Sequence, residues 1–503
     1  MTTLAADTRP GPAAGHRWLI IAMFLLAAAV MLSWRAVAGA GQPARAVVWG
    51  SLGLAAYAAS LLCLAGGRGK GLGLGRWWFG SWTAAWYAVA FGLASLTWAA
   101  PQTGTSAAIS VSSVLRALWL VAVGMTAWAF GYLTGPGRLA ERCGHRAMAA
   151  LSLRFAPEVR SLLAPWSLYA IGTAARIAGA ATTGRFGYVG DVQSAFTGTT
   201  GYQQWLSVLG LCAPMAVAAA ALQSYRDRVP GARVSLAILF MAEIASGAAT
   251  GNKQAFIVTV LAVAVPFTAA RRTIPKGLLI FAVMAFLLII VPFNQAYRNA
   301  ARSTAGTLSA GQAIEDVPGI LKQTVVTGNA GGVLSSSASY MLARIREIDS
   351  PAIIMQRTPS QIGFLSPVQL VEEPVVALVP RALWPGKPIH DSGYQVSQEY
   401  YDLPRTVYTS SAITPVGDLY RYGGWIPVVA GMFLLGCGAR FLDDVLDVSG
   451  NPHSALLFLL LFPSLVNQEN DWAGMLAGIP GTLLVWLLGV CLTFRRRQEG
   501  TSP

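Results

Sequence analysis

Stretches of about twenty largely apolar residues recur along this chain, and that is the length a helix needs to cross a bilayer. Twelve are legible, near 18–38, 46–66, 77–99, 114–134, 162–181, 204–223, 234–250, 255–270, 277–293, 425–440, 454–470 and 472–494. Charged residues make up only 12% of the 503, with mean hydropathy +0.52, against about a quarter charged in soluble domains. A soluble enzyme, a disordered chain and a disulfide scaffold are excluded. The expected fold is an all-α polytopic membrane protein of about 12 transmembrane helices.

The net charge of +14 is explained by where the cations fall. Lys and Arg in short connections mark the cytoplasmic side. One alternate set of connections carries Arg68, Lys70 and Arg76, then Arg138, Arg142, Arg146, Arg154 and Arg160. It continues with Arg226, Arg228 and Arg233, then Arg271, Arg272 and Lys276, and ends in Arg495, Arg496 and Arg497. The opposite set is nearly free of cations: 101–113 has no charge, and 467–471 has only acids. This alternation predicts both termini in the cytoplasm and needs no nucleic-acid partner. It divides the chain into spans 1–9 (residues 1–293), a large external loop (294–424) and spans 10–12 (425–503).

Five cysteines and four histidines show no metal-ligand spacing, so no metal and no cofactor are expected. The glycine-rich stretch 66–75 lacks the P-loop pattern and reads as a basic loop. Asp443, Asp444 and Asp447 read as a solvated turn. Glu243 falls mid-span, where a lone charge is costly, and Arg176 is its predicted partner.

The loop 294–424 carries helical amphipathic patterns at 309–325 and 332–348. From 357 on it gathers charge and aromatic residues: Arg357, Arg381, Trp384, Lys387, His390, Asp391, Glu399, Tyr400, Tyr401, Asp402, Arg405, Asp418, Tyr420 and Arg421. Lysine is scarce in the chain, yet Lys253, Lys322 and Lys387 all fall on the predicted external side. Lys253 and Lys387, with Arg298, Arg302, Arg344 and Arg381, would make a basic external face.

Residues 378–388 read Leu-Val-Pro-Arg-Ala-Leu-Trp-Pro-Gly-Lys-Pro, and 414–425 read Thr-Pro-Val-Gly-Asp-Leu-Tyr-Arg-Tyr-Gly-Gly-Trp, leading directly into a span. This pairing resembles the oligosaccharide repeat-unit polymerases, the Wzy-type O-antigen polymerase group. There a Pro-Arg-x-x-Trp-Pro-x-Lys-Pro stretch ends a large external loop and a Gly-x-x-Tyr-x-x-x-Gly stretch opens the next span. The motif resemblance covers about fifty residues. Gly386 departs from a position that is often acidic in the group, and Lys253 stands near where the group's Ser-Gly-x-Arg-like element would place an arginine.

The resemblance implies a GT-C-like membrane glycosyltransferase in the cell envelope. It would join polyprenyl-pyrophosphate-linked oligosaccharides for polysaccharide biosynthesis, in contact with membrane lipids and alongside a flippase and a chain-length regulator. A lipid pyrophosphate leaving group calls for fixed cations, with arginine bidentate and lysine a point charge. Arg381, Lys387 and Arg298, then Arg344 and Lys253, are the candidates for binding it. Trp384 and Tyr420 suit sugar or interface contact. Asp418 is the candidate base for the attacking hydroxyl, with helix capping as its other reading; His390, Asp391, Glu399 and Glu469 are alternatives. A ligase-type glycan transferase, for which His390 would serve, and a lipid-linked glycan flippase remain as competing readings.

Overall fold

The computed structural model describes residues 41–66, 77–186, 189–190, 201–303, 330–379, 383–384, 386–388, 391–405 and 409–497. Within these, the backbone alone is described at 63–66, 185–186, 189–190, 201, 298–303, 330–333 and 336. The protein is a helical membrane protein. Eight described helices are long and apolar enough to cross a bilayer, among them Pro43–Leu62, Val111–Thr134, Lys276–Tyr297 and Trp425–Val445.

In chain order the helices are α1 (Pro43–Gly66), α2 (Phe79–Tyr87), α3 (Val111–Thr134), α4 (Arg138–Arg154), α5 (Leu163–Thr183), α6 (Gly201–Leu209), α7 (Cys212–Leu222), α8 (Ala232–Thr250), α9 (Lys253–Arg271) and α10 (Lys276–Ala285). There follow α11 (Val291–Ser303), α12 (Ala330–Arg344), α13 (Asp349–Arg357), α14 (Gln369–Leu378), α15 (Ser392–Glu399), α16 (Pro415–Arg421), α17 (Trp425–Val445), α18 (Pro452–Val466), α19 (Trp472–Ala477) and α20 (Ile479–Thr493). The apolar stretch at 77–99 is helical but changes pitch, from α2 through a π turn (Ala88–Leu93) to a 3-10 turn (Ala94–Ala99). The stretch at 18–38 lies outside the described residues, as does the amphipathic pattern at 309–325. The pattern at 332–348 falls in α12 as far as Arg344, and its last four residues lie beyond the helix.

An all-α fold is expected, and two small β pairs depart from it. Strand β1 (Phe155–Val159) pairs antiparallel with β4 (Phe494–Arg496), and β2 (Arg185–Phe186) with β3 (Val189–Gly190). The β1–β4 pair satisfies backbone groups where α20 ends against the connection after α4.

Small residues let helix backbones approach where no hydrophobic driving force separates protein from lipid. On α3 and α17 the pair Gly131 and Gly436 does this. A methyl group added at Gly436 would lie 2.0 Å from the Trp128 carbonyl, and one at Gly131 2.0 Å from that of Phe433. Gly172 on α5 likewise meets the Ala213 backbone of α7. Two apolar cores result. One gathers α5, α7, α9, α18 and α20 around Trp77 and Phe458; the other gathers α1, α2, α3, α13, α16 and α17 around Tyr87 and Phe91. No residue of α10 or of the π turn after it is buried, as befits a face turned to lipid.

Polar contacts divide the molecule's ends. At one end β1 and β4 pair, Asp227 accepts the Val159 N–H (3.1 Å), and Asp443 accepts the N–H groups of Phe79 (2.6 Å) and Gly80 (2.9 Å) and the Tyr132 hydroxyl (2.8 Å). Asp443 is thus no solvated turn residue. It caps α2 from across the bundle, and the expectation for it is corrected; Asp444 pairs with Arg440 and Asp447 accepts Gly450 N–H. Mid-bundle, Arg176 makes a bidentate pair with Glu243 (2.7 and 2.8 Å), as the sequence predicts. The other end holds the connection near 100–110, the described residues between 346 and 425, and the turn 467–471.

Candidate functional site

The segment before the site is pinned by Arg346. Its guanidinium donates to Asp349 (2.7 Å), Ser106 (2.9 Å) and Thr97 (2.8 Å) and lies over the Trp98 ring. Helix α13 follows, with Ser350 through Met355 buried against α3 and α16. Helix α16 is buried over all seven residues. Its start is a sequence-encoded cap: Thr414 accepts the Gly417 N–H (3.2 Å) and Pro415 occupies the first turn, where its missing N–H leaves nothing unpaired.

Asp418 therefore does not cap its own helix. One carboxylate oxygen receives Arg421 (3.1 Å) and the other the Trp472 N–H (3.0 Å), so it stabilises the start of α19 across space. Asp471 caps the same helix through Gly474 N–H (3.2 Å) and accepts from the Ser392 hydroxyl (3.3 Å). Burial, and then neighbouring Asp471, push the Asp418 carboxyl up to about 7, against the pull of Arg421 and the Trp472 N–H. Tyr422, next to Arg421, donates its hydroxyl to Glu373 on α14. Burial and the carboxylates of Asp418 and Glu373 hold that phenol protonated.

In front of this layer opens a groove of about 620 Å³. Gln203, Gln204 and Trp205 of α6 form one wall, and Glu372 and Glu373 of α14 another. Lys387, Pro388, Asp471 and Leu484 complete it. Amides, carboxylates, one ammonium and an indole converge there on an otherwise apolar floor, a composition suited to a polar headgroup carried on an apolar tail. A second cavity of about 570 Å³, walled by Trp128, Leu442, Leu457 and Trp486, has no titratable group among its lining residues.

Of the residues expected to form the site, Lys387 lines the groove. Its ammonium donates to the carbonyls of Ala377 (3.1 Å) and Val379 (3.0 Å), closing the C-terminus of α14. The Trp384 side chain is exposed, and its backbone carbonyl accepts the Lys387 backbone N–H (3.0 Å). Tyr420 is buried beside Phe364, ring centroids 6.2 Å apart. Asp418 is buried behind the groove. A second set lies on adjoining elements: Lys253 opens α9, Arg298 belongs to α11, and exposed Arg344 ends α12. Asn294 and Tyr297 of α11 bond the carbonyls of Gly251 and Ala249, which holds α11 against the turn before Lys253. Arg381 and His390, and the side chain of Arg298, lie outside the described residues.

Three further groups take their place only in the folded chain. Glu373 and Asp471 enter the groove only because α14 packs on α19. Glu347 is 3% exposed; it accepts Trp86 Nε1–H (2.7 Å) on one oxygen, and its other oxygen has no partner. Burial, then Glu469, push its carboxyl well above the ordinary range.

A family model described as a domain of unknown function (DUF8712) matches residues 188–446, just over half of the chain. No curated protein and no solved structure matches.

Proposed function

The chain belongs to the DUF8712 family, and we propose that it is a membrane glycosyltransferase that joins polyprenyl-pyrophosphate-linked oligosaccharide repeat units at the external face. The finer topology is part of the same proposal: twelve spans, a GT-C-like arrangement, both termini cytoplasmic and the loop 294–424 outside. The observation that carries the reading is the groove in front of Asp418. The described part of the Pro-Arg-x-x-Trp-Pro-x-Lys-Pro stretch lines it through Lys387 and Pro388, and the Gly-x-x-Tyr-x-x-x-Gly stretch packs behind it through Asp418 and Tyr422.

In this reaction an acceptor sugar hydroxyl bonds to the anomeric carbon of the donor as the bond to the lipid pyrophosphate breaks. The pyrophosphate leaves with the electron pair, and the hydroxyl proton passes to a carboxylate. Lys387, Arg381, Arg298, Arg344 and Lys253 supply the positive charge that the leaving group requires. Glu372, Glu373 and Asp471 are the carboxylates that line the groove and are available to the acceptor hydroxyl. Asp418 works one layer behind them, holding Arg421 and the start of α19 in place.

The test is mass spectrometry of polyprenyl-linked glycans from cells lacking the gene. Single repeat units accumulating on the lipid, with long chains missing, support the polymerase. Long lipid-linked chains that are never handed on would replace it with a ligase. Single units confined to the cytoplasmic leaflet would make it a flippase.

A further inference from the structure

Helix α14 leaves one face uncovered. Val368 is 69% exposed, Val371 67%, Val375 57% and Leu378 41%, and steps of three and four residues place them on one stripe roughly 80° wide. The opposite side, Pro374 and Ala377, is buried where α14 packs on α19. Glu372 marks the edge of the stripe, and Glu373 turns to the groove.

The stripe joins surfaces that must meet lipid. At its start Leu365 N–H bonds the Arg421 carbonyl (2.8 Å), and the Phe364 ring lies beside Gly424, where α17 begins. The first turn of α17 exposes Ile426 at 80% and Trp425 at 42%. At its end Leu378 shares the groove wall with Leu484 of α20, itself 45% exposed. An apolar face of this extent, outside any span yet continuous with two of them, has the pattern of a helix lying in the bilayer interface.

We propose that α14 is an interfacial helix whose Val368–Val371–Val375–Leu378 stripe lies among the acyl chains of the leaflet at this end of the protein. Glu372 then sits at headgroup level and the groove beside it opens sideways to the leaflet. An amphiphile enters along the membrane, its polar part meeting Lys387, Glu373 and the amides of Gln203 and Gln204 while its tail stays in lipid. The proposal rests on the spans and not on the reaction proposed above.

The test uses the full chain with its five cysteines replaced, reconstituted into phosphatidylcholine–phosphatidylglycerol vesicles. A nitroxide is attached at Val371→Cys or Val375→Cys, with Ile426→Cys as the lipid-facing reference and Glu372→Cys as the border. Collision with oxygen and with a water-soluble nickel chelate is measured by power-saturation spectroscopy. Labels at 371 and 375 should favour oxygen over the chelate about as strongly as the label at 426, and the label at 372 should shift toward the chelate. Chelate access at 371 and 375 equal to that of a water-exposed label would overturn the proposal. Low collision with both reagents would also overturn it, since the stripe would then be covered by protein, a second copy included. Both labelled positions are exposed, so the substitutions disturb no core packing, and elution as a single species confirms the fold before labelling.

Discussion

Replacing Asp418 by Asn asks which force governs the buried layer behind the groove. The carboxyl is 1% exposed. Burial and Asp471 push it from 3.8 to about 7, although Arg421 and the Trp472 N–H pull the other way. Each unit corresponds to about 1.4 kcal/mol, so the shift amounts to about 4 kcal/mol. Water penetration reduces this to about 2–4 kcal/mol. Between the two values the folded chain holds a proton that the unfolded chain has released. The contribution is therefore complete below pH about 4 and is lost as pH rises to about 7. The asparagine keeps an acceptor for the Trp472 N–H and carries no charge at any pH. Unfolding in mixed micelles, followed by circular dichroism at pH 5 and pH 8, gives the stability of each protein. From pH 5 upward only about two of the roughly three units remain, so the wild-type advantage over Asp418→Asn should fall by about 1–3 kcal/mol between those pH values. A difference that stays constant or rises with pH would refute the reasoning. Arg421 would then keep the carboxylate ionised through the range, and the asparagine would cost about 3–5 kcal/mol at pH 8, as broken buried pairs do.

Glu347→Ala strands the Trp86 N–H and opens a cavity, so it should cost about 2 kcal/mol or more in the same assay. Glu347→Gln, which resembles the protonated carboxyl favoured by burial, should stay within about 1 kcal/mol of wild type at pH 5. Gly436→Val drives a side chain into the Trp128 carbonyl on a backbone that cannot retreat; a loss of about 3 kcal/mol is expected, seen as a lowered unfolding midpoint. Glu243→Ala removes the partner of Arg176, but that guanidinium is about a third exposed. The loss should be about 1–2 kcal/mol, below the range of fully buried pairs. Lys387→Met frees the carbonyls at the end of α14. Hydrogen exchange should rise within residues 374–379 while global stability moves by less than about 1 kcal/mol.

A bilayer makes many of the constraints on a chain local, and those were legible segment by segment. A span must be apolar over its own length, and its backbone must bond within itself. The apolar stretches therefore announced the helices, and the residues that the structure shows capping three helix starts, Asn252, Thr414 and Asp471, are of the short polar type such a start requires. The Arg176–Glu243 pair was legible for a related reason, because a lone mid-span acid demands a cation and few were present. Tertiary structure decided everything that joins distant residues. Asp443 reads locally as part of a polar turn, yet it closes a helix start 363 and 364 positions away. Asp418 looks like a cap for its own helix, but Thr414 occupies that role and frees it to bind Trp472, 54 positions on. The groove exists only because α6, α14 and α19 converge. The glycines of α3 and α17 acquire meaning only in the crossing that puts each against the other's carbonyls. Such contacts depend on which surfaces pack together, a property of the folded chain that no single segment's pattern encodes.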